Sequence, residues 1–157
     1  MTLKAERKIE RDGWRLIASD GGLTEAMREA VLEKALAAAR GELGAPRRRS
    51  RHASTWQIRI GGPVALEIFV KIIEPGGASG RIKRLLRGPR AEHVARMVGM
   101  LADSGFAAPP IILRGAERGS GREMIVAPRA EGDGPLRTLA ALASRPGGLA
   151  RKRAALR

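Results

Sequence analysis

Two apolar runs meeting at a glycine-proline turn constrain the fold of this chain most. "TWQIRI", residues 55–60, alternates Trp56, Ile58 and Ile60 on one side, the period of a half-buried strand. "GGP" follows as turn chemistry, and "VALEIFVKII", residues 64–73, is a longer run rich in β-branched side chains. Together they predict an antiparallel hairpin. Its second strand holds one lysine, Lys71, in an otherwise apolar neighbourhood, and that lysine is the first candidate for chemistry.

The flanking segments switch between helical and strand periods. "WRLIA", residues 14–18, reads as a short strand closed by the turn residues "SDGG". "LTEAMREAVLEKALAAARG" carries Thr24 as N-cap, Glu25 in the first turn, Met27, Val31, Leu32 and Leu36 at helical spacing, and Gly41 as the stop, so one amphipathic helix is predicted. "GAPRRRSRHAS", residues 44–54, has no apolar anchor and reads as an exposed, strongly positive loop. "EPGGASGRIKRLLRG" predicts a basic loop with a helical turn at 82–86. "RAEHVARMVGMLADSG" predicts a helix after Pro89, with Val94, Met97, Val98 and Leu101 on its packing face. Residues 111–114 and 123–127 read as a second hairpin, and residues 1–13 as flexible.

With 157 residues and a 43% apolar fraction, the chain has the composition of one globular domain. Lysine and arginine number 30 against 16 acidic residues, giving a net charge of +14. Such an excess points to an anionic contact, whether nucleic acid, membrane surface or phosphorylated ligand, or else to arginines spread over a solvated surface. There is no cysteine and there are two histidines, which excludes disulfides and thiolate metal sites and disfavours zinc. No apolar run reaches the roughly 20 residues that span a bilayer. The expectation is a cytoplasmic protein, peripheral to the inner membrane if it meets lipid.

The order strand, helix, lysine-bearing hairpin, helix, hairpin is α+β with a small antiparallel sheet. "STWQIRI", "EIFVKII", "RIKRLLRGPRAEHVARMVGMLADSGFAAPPIIL" and "EMIVAPRAEG" together resemble the bacterial lipopolysaccharide kinase family, which includes the Kdo and heptose kinases, over about residues 44–135. The resemblance implies the N-terminal lobe of a kinase-like fold over 1–130. It makes 131–157 the hinge and incomplete first helices of a C-terminal lobe.

Under that resemblance Lys71 matches the lysine that pairs with the ATP phosphates. Arg47, Arg48, Arg49, Ser50 and Arg51 occupy the place of the phosphate-covering loop, without its glycine pattern. Backbone groups from Val126 to Pro128 face the adenine. A kinase also orients its lysine with a helix glutamate. Here Val94 holds the expected seat, and the nearest carboxylate, Glu92, lies about 160° around the helix from it.

The resemblance also requires acidic groups for Mg²⁺ and for the acceptor hydroxyl. The chain contains neither the His-Gly-Asp loop nor an Asp-Phe-Gly type motif, and the late acids Glu131 and Asp133 fall in the hinge. The expectation is therefore a fragment of an ATP-dependent phosphotransferase that holds ATP weakly, lacks catalytic and metal-binding residues of its own, and is completed by a missing or separately encoded C-terminal lobe. A lobe that completes a separately encoded C-terminal lobe is expected to expose an apolar face near 124–142. The alternative from another class is a small basic protein that binds nucleic acid or an anionic surface without enzymatic activity. With two tryptophans and two phenylalanines in all, base stacking is poorly supplied.

Overall fold

A computed structural model describes residues 6–61, 65–77, 88–105 and 108–129. The central hairpin forms as the alternation predicts. β4 (Ala53–Ile60) pairs antiparallel with β5 (Leu66–Ile73) from Ala53 opposite Ile73 to Ile60 opposite Leu66. The helix α1 (Glu25–Arg40) has the predicted ends. Thr24 Oγ1 accepts the Met27 N–H at 3.3 Å, and Gly41 takes the left-handed conformation at φ 77° that closes the last turn.

Two segments that read as unstructured are strands. β1 (Glu6–Arg11) lies in the stretch that reads as flexible, and "ERKIER" has one apolar residue. It pairs along its whole length with β2 (Trp14–Ser19), across the two-residue turn Asp12-Gly13. Both turn residues have positive φ, 51° and 81°, which matches the twist of a tight hairpin. β3 (Arg48–Ser50) lies in the expected basic loop and pairs with the start of β4. Both are outer strands, so neither needs an apolar face to be held in register.

The remaining strands, β6 (Leu113–Glu117) and β7 (Glu123–Pro128), form the predicted second hairpin. They do not stand apart: β7 inserts beside β5 and β6 beside β2, giving one seven-stranded antiparallel sheet in the order β1-β2-β6-β7-β5-β4-β3. The fold is α+β. Among the described residues two helices pack on this sheet.

α1 covers one face. Its Val31, Leu32, Ala35 and Leu36 meet Leu16, Ile68, Val70, Ile72, Met124 and Val126, all buried. Removing a leucine side chain such as Leu36 from this layer would cost about 2–5 kcal/mol. Arg122 ties the layer together from the β6–β7 end, with its guanidinium 5.6 Å from the Trp14 ring centre and donating to the Ala39 carbonyl at 3.0 Å.

The other face is covered in part by α2 (Arg90–Asp103). Pro89 at its N-cap has no capping side chain. Glu123 from β7 supplies one, its buried carboxylate accepting the Ala91 N–H at 2.7 Å. Ala91 is buried against Ile73 and Ile125, with Val94 half-buried beside them. The apolar face expected to pack is therefore used in part, at Val94 and the half-buried Val98. Met97 and Leu101 are 47% and 39% exposed, because the helix is pinned by its first turn rather than along its stripe. Among the described residues no helix is long and apolar enough to cross a membrane.

Candidate functional site

Strand alternation assigns each sequence-predicted side chain to a face. On β5, Ile68, Val70 and Ile72 enter the layer under α1. Glu67, Phe69, Lys71 and Ile73 therefore project from the α2 side. The register extends this across the sheet: Arg48 lies opposite Thr55, Thr55 opposite Lys71, Lys71 opposite Ile125, and Ile125 opposite Arg114. These five residues form one row on the α2 face.

Lys71 is exposed, and it makes no hydrogen bond or ion pair among the described residues. The nearby carboxylates are engaged elsewhere. Glu92, the sequence candidate for its partner, accepts instead from Arg114 Nε at 3.0 Å, and Glu6 of β1 accepts from the same guanidinium at 3.0 Å. Burial works against the charge on Arg114, but its bonds to Glu92 and Glu6 outweigh this and raise its pKa. A buried arginine thus holds the glutamate that an exposed lysine two strands away lacks. Glu67 receives Arg129 at 2.6 Å and the Gln57 amide, and these bonds, Arg129 first, hold its carboxyl below the usual carboxylate range.

The arginine run is divided by the same alternation. Arg48 shares the face of Lys71, separated from it by Thr55. At about 4.8 Å per strand the two backbones stand roughly 10 Å apart, within convergence of two long cationic side chains. Arg49, opposite Ser54, projects from the α1 side, while Arg47 precedes the strand and its charge acts on Glu67 of β5. Arg51 sits in the turn. Ser50 shares the face of Lys71, but its hydroxyl closes the turn, accepting the His52 and Ala53 N–H groups at 3.4 and 3.1 Å and donating to the Ala53 carbonyl. Its reach toward a ligand is thereby spent.

Below Lys71 the face is less polar. Phe69 and Ala127 are opposite one another, half-buried, with Gln57 on the far side of Phe69. The Gln57 Oε1 atom is buried without a hydrogen-bond partner. Of the backbone expected to face an adenine, Val126 is interior to the sheet and its carbonyl receives the Ile112 N–H at 2.9 Å. Pro128, two residues on, directs its carbonyl the same way past the end of β6. Having no N–H, it offers an acceptor alone. Met124 to Val126 are buried, so the expected exposed apolar face does not start there. The rest of 124–142 beyond 129, with Glu131, Asp133 and the helical segments at 82–86 and 131–157, lies outside the described residues.

The face fits phosphate in a limited sense. Lys71 and Arg48 are cations on rigid strands, and Arg48 brings a planar fork suited to phosphate oxygens. It does not fit Mg²⁺ equally well: among the described residues Glu67, Glu92 and Glu123 on this side each already serve an arginine or a backbone N–H.

A cleft of about 530 Å³ lies on the opposite face, between β1 and α1, floored by Ile9, Ala18, Leu32 and Ile112. Arg7 and Arg11 cross its mouth to Glu25 and Glu29, at 2.9 and 2.6 Å. It lies on the side of the sheet away from Lys71, and these charges neutralise one another.

A scan of this chain against protein-family models finds no match, and searches against curated proteins and against solved structures find none either.

Proposed function

We propose that this chain is the nucleotide-holding lobe of an ATP-dependent phosphotransferase of the lipopolysaccharide kinase type, binding polyphosphate weakly through Lys71 and Arg48. Protein kinases carry their phosphate-pairing lysine on the third strand of the lobe, ahead of the helix that braces it. Here Lys71 lies on the third strand of the β3-β4-β5 meander, on the face that α2 partly covers, and a hairpin follows that helix and returns beside the lysine strand. The observation that carries the reading is the unpaired state of Lys71 on that face while neighbouring carboxylates are committed elsewhere.

Phosphoryl transfer depends on positioned acids and Mg²⁺ ligands, and neither the His-Gly-Asp nor the Asp-Phe-Gly pattern occurs in the sequence. These 157 residues would therefore hold ATP without transferring phosphate, and a C-terminal lobe outside them would supply the chemistry.

The arginines of the β3 edge favour a second reading, a basic polyanion-binding protein without enzymatic activity. Titration with a non-hydrolysable ATP analogue separates the two. Lys71→Ala should weaken analogue binding about 10- to 100-fold, the worth of a charge-assisted hydrogen bond, while heparin binding stays within twofold. Equal loss of both ligands, or no analogue binding by the unaltered chain, favours the polyanion reading.

A further inference from the structure

Among the described residues, Arg59, Arg90 and Arg96 apart, which stand singly and make no ion pair, the arginines fall into two populations. On β1, α1, β6 and β7 they are neutralised within the fold: Arg11 by Glu29 and Glu33, Arg40 by Asp12 and Glu42, Arg118 by Glu10, Arg122 by Glu117. On the β3–β4 edge none of Arg47, Arg48, Arg49 and Arg51 makes an ion pair, and all four are exposed. Arg47 acts on Glu67 only at a distance. One charge suffices to keep an edge strand from pairing with another chain. Four in five positions, with no counter-charge, repel one another unless an anion is brought to them.

We propose that Arg47, Arg49 and Arg51 form a contact for an anionic phospholipid surface. Arg49 points away from the Lys71 face, and Arg47 and Arg51 lie outside β3, so the contact goes beyond the nucleotide reading and does not depend on it. The shape of the edge selects the partner. The β3–β4 turn does not project: the Glu74 N–H donates to the His52 carbonyl at 2.9 Å, which holds the turn level with the end of β5. A blunt edge cannot reach into a duplex groove about 8.5 Å deep, as a free β-ribbon can. The scarcity of aromatic residues argues against single-stranded nucleic acid. A flat anionic leaflet can meet such an edge along its length, and each arginine near it is worth about a fivefold gain in partitioning.

The test is co-sedimentation of the full chain with vesicles of phosphatidylcholine alone and of phosphatidylcholine containing about a third phosphatidylglycerol, at an ionic strength of about 0.1 M. The chain should bind the mixed vesicles and not the neutral ones. The triple variant Arg47→Ala, Arg49→Ala, Arg51→Ala should lose about a hundredfold in partitioning. Lys71→Ala, which weakens nucleotide binding under the reading above, should leave vesicle binding unchanged. Equal binding to neutral vesicles, a triple variant within threefold of the unaltered chain, or release from vesicles by duplex DNA that binds more tightly through the same arginines would each overturn the proposal.

Discussion

Gly115 is the position where one added carbon tests the sheet. It lies in β6 with Leu16 of β2 on one side and Met124 of β7 on the other. A Cβ built there would stand 2.8 Å from the Leu16 Cα and 2.9 Å from the Arg15 carbonyl carbon, and closer still to the Arg15 oxygen. These are main-chain atoms of a paired strand, so no rotamer change relieves the overlap; β2 must move away from β6. Overpacking against side chains costs about 1–3 kcal/mol, and displacing a strand from its ladder adds lost hydrogen bonds. Gly115→Ala should therefore destabilise by at least about 3 kcal/mol. Gly99, in the exposed part of α2, is the control: a Cβ there meets nothing within 4 Å. Gly99→Ala should stabilise by about 0.5–1 kcal/mol through helix propensity. Urea unfolding reads both, with a midpoint fall of roughly 2 M or more for the first, for slopes near 1–1.5 kcal/mol per M. A cost below about 1 kcal/mol at position 115 would refute the placement of β2 beside β6.

Two further outcomes follow from the ion pairs. Arg122 holds the Glu117 carboxyl below its ordinary value of 4.5, so this pair stabilises the fold at neutral pH and the contribution is lost as pH falls from about 4.5 through the lower folded-state value. Glu117→Gln should thus be less stable at pH 7 and show a shallower loss of stability on acidification; an unchanged slope would contradict the pairing. For Arg114 and Glu92, a double-mutant cycle with Arg114→Met and Glu92→Gln should give a coupling of about 1 kcal/mol, modest because the glutamate is partly exposed. Zero coupling would free Glu92 for Lys71.

What was legible in the sequence was local. Thr24, Gly41 and the spacing of Val31, Leu32 and Leu36 place α1 because caps and helical faces are read within a few residues. The β4–β5 hairpin follows from alternation and a turn. β1 and β3 were not legible from hydrophobic pattern, since edge strands need none. For β1 the Asp12-Gly13 dipeptide was the signal that could have found it. The partner of Glu92 was beyond reach for a different reason. Arg114 is 22 residues away and meets Glu92 only because β6 and α2 pack together. The separation of Arg48 from Arg49 likewise needs the register of β3 on β4, which the basic run does not encode in its composition. Met97 and Leu101 show the converse: the helical period is real, but the docking point is set by Ala91 and Glu123 at the first turn.

Under the proposed function, phosphate is held on the α2 side of the sheet by Lys71 together with Arg48 across Thr55. The affinity of an ATP analogue for Arg48→Ala and Arg49→Ala tests it most directly, because the two residues are adjacent, equally charged and on opposite faces. About a tenfold loss is expected for Arg48→Ala and a change within twofold for Arg49→Ala. Equal losses, or a loss confined to Arg49→Ala, would contradict it.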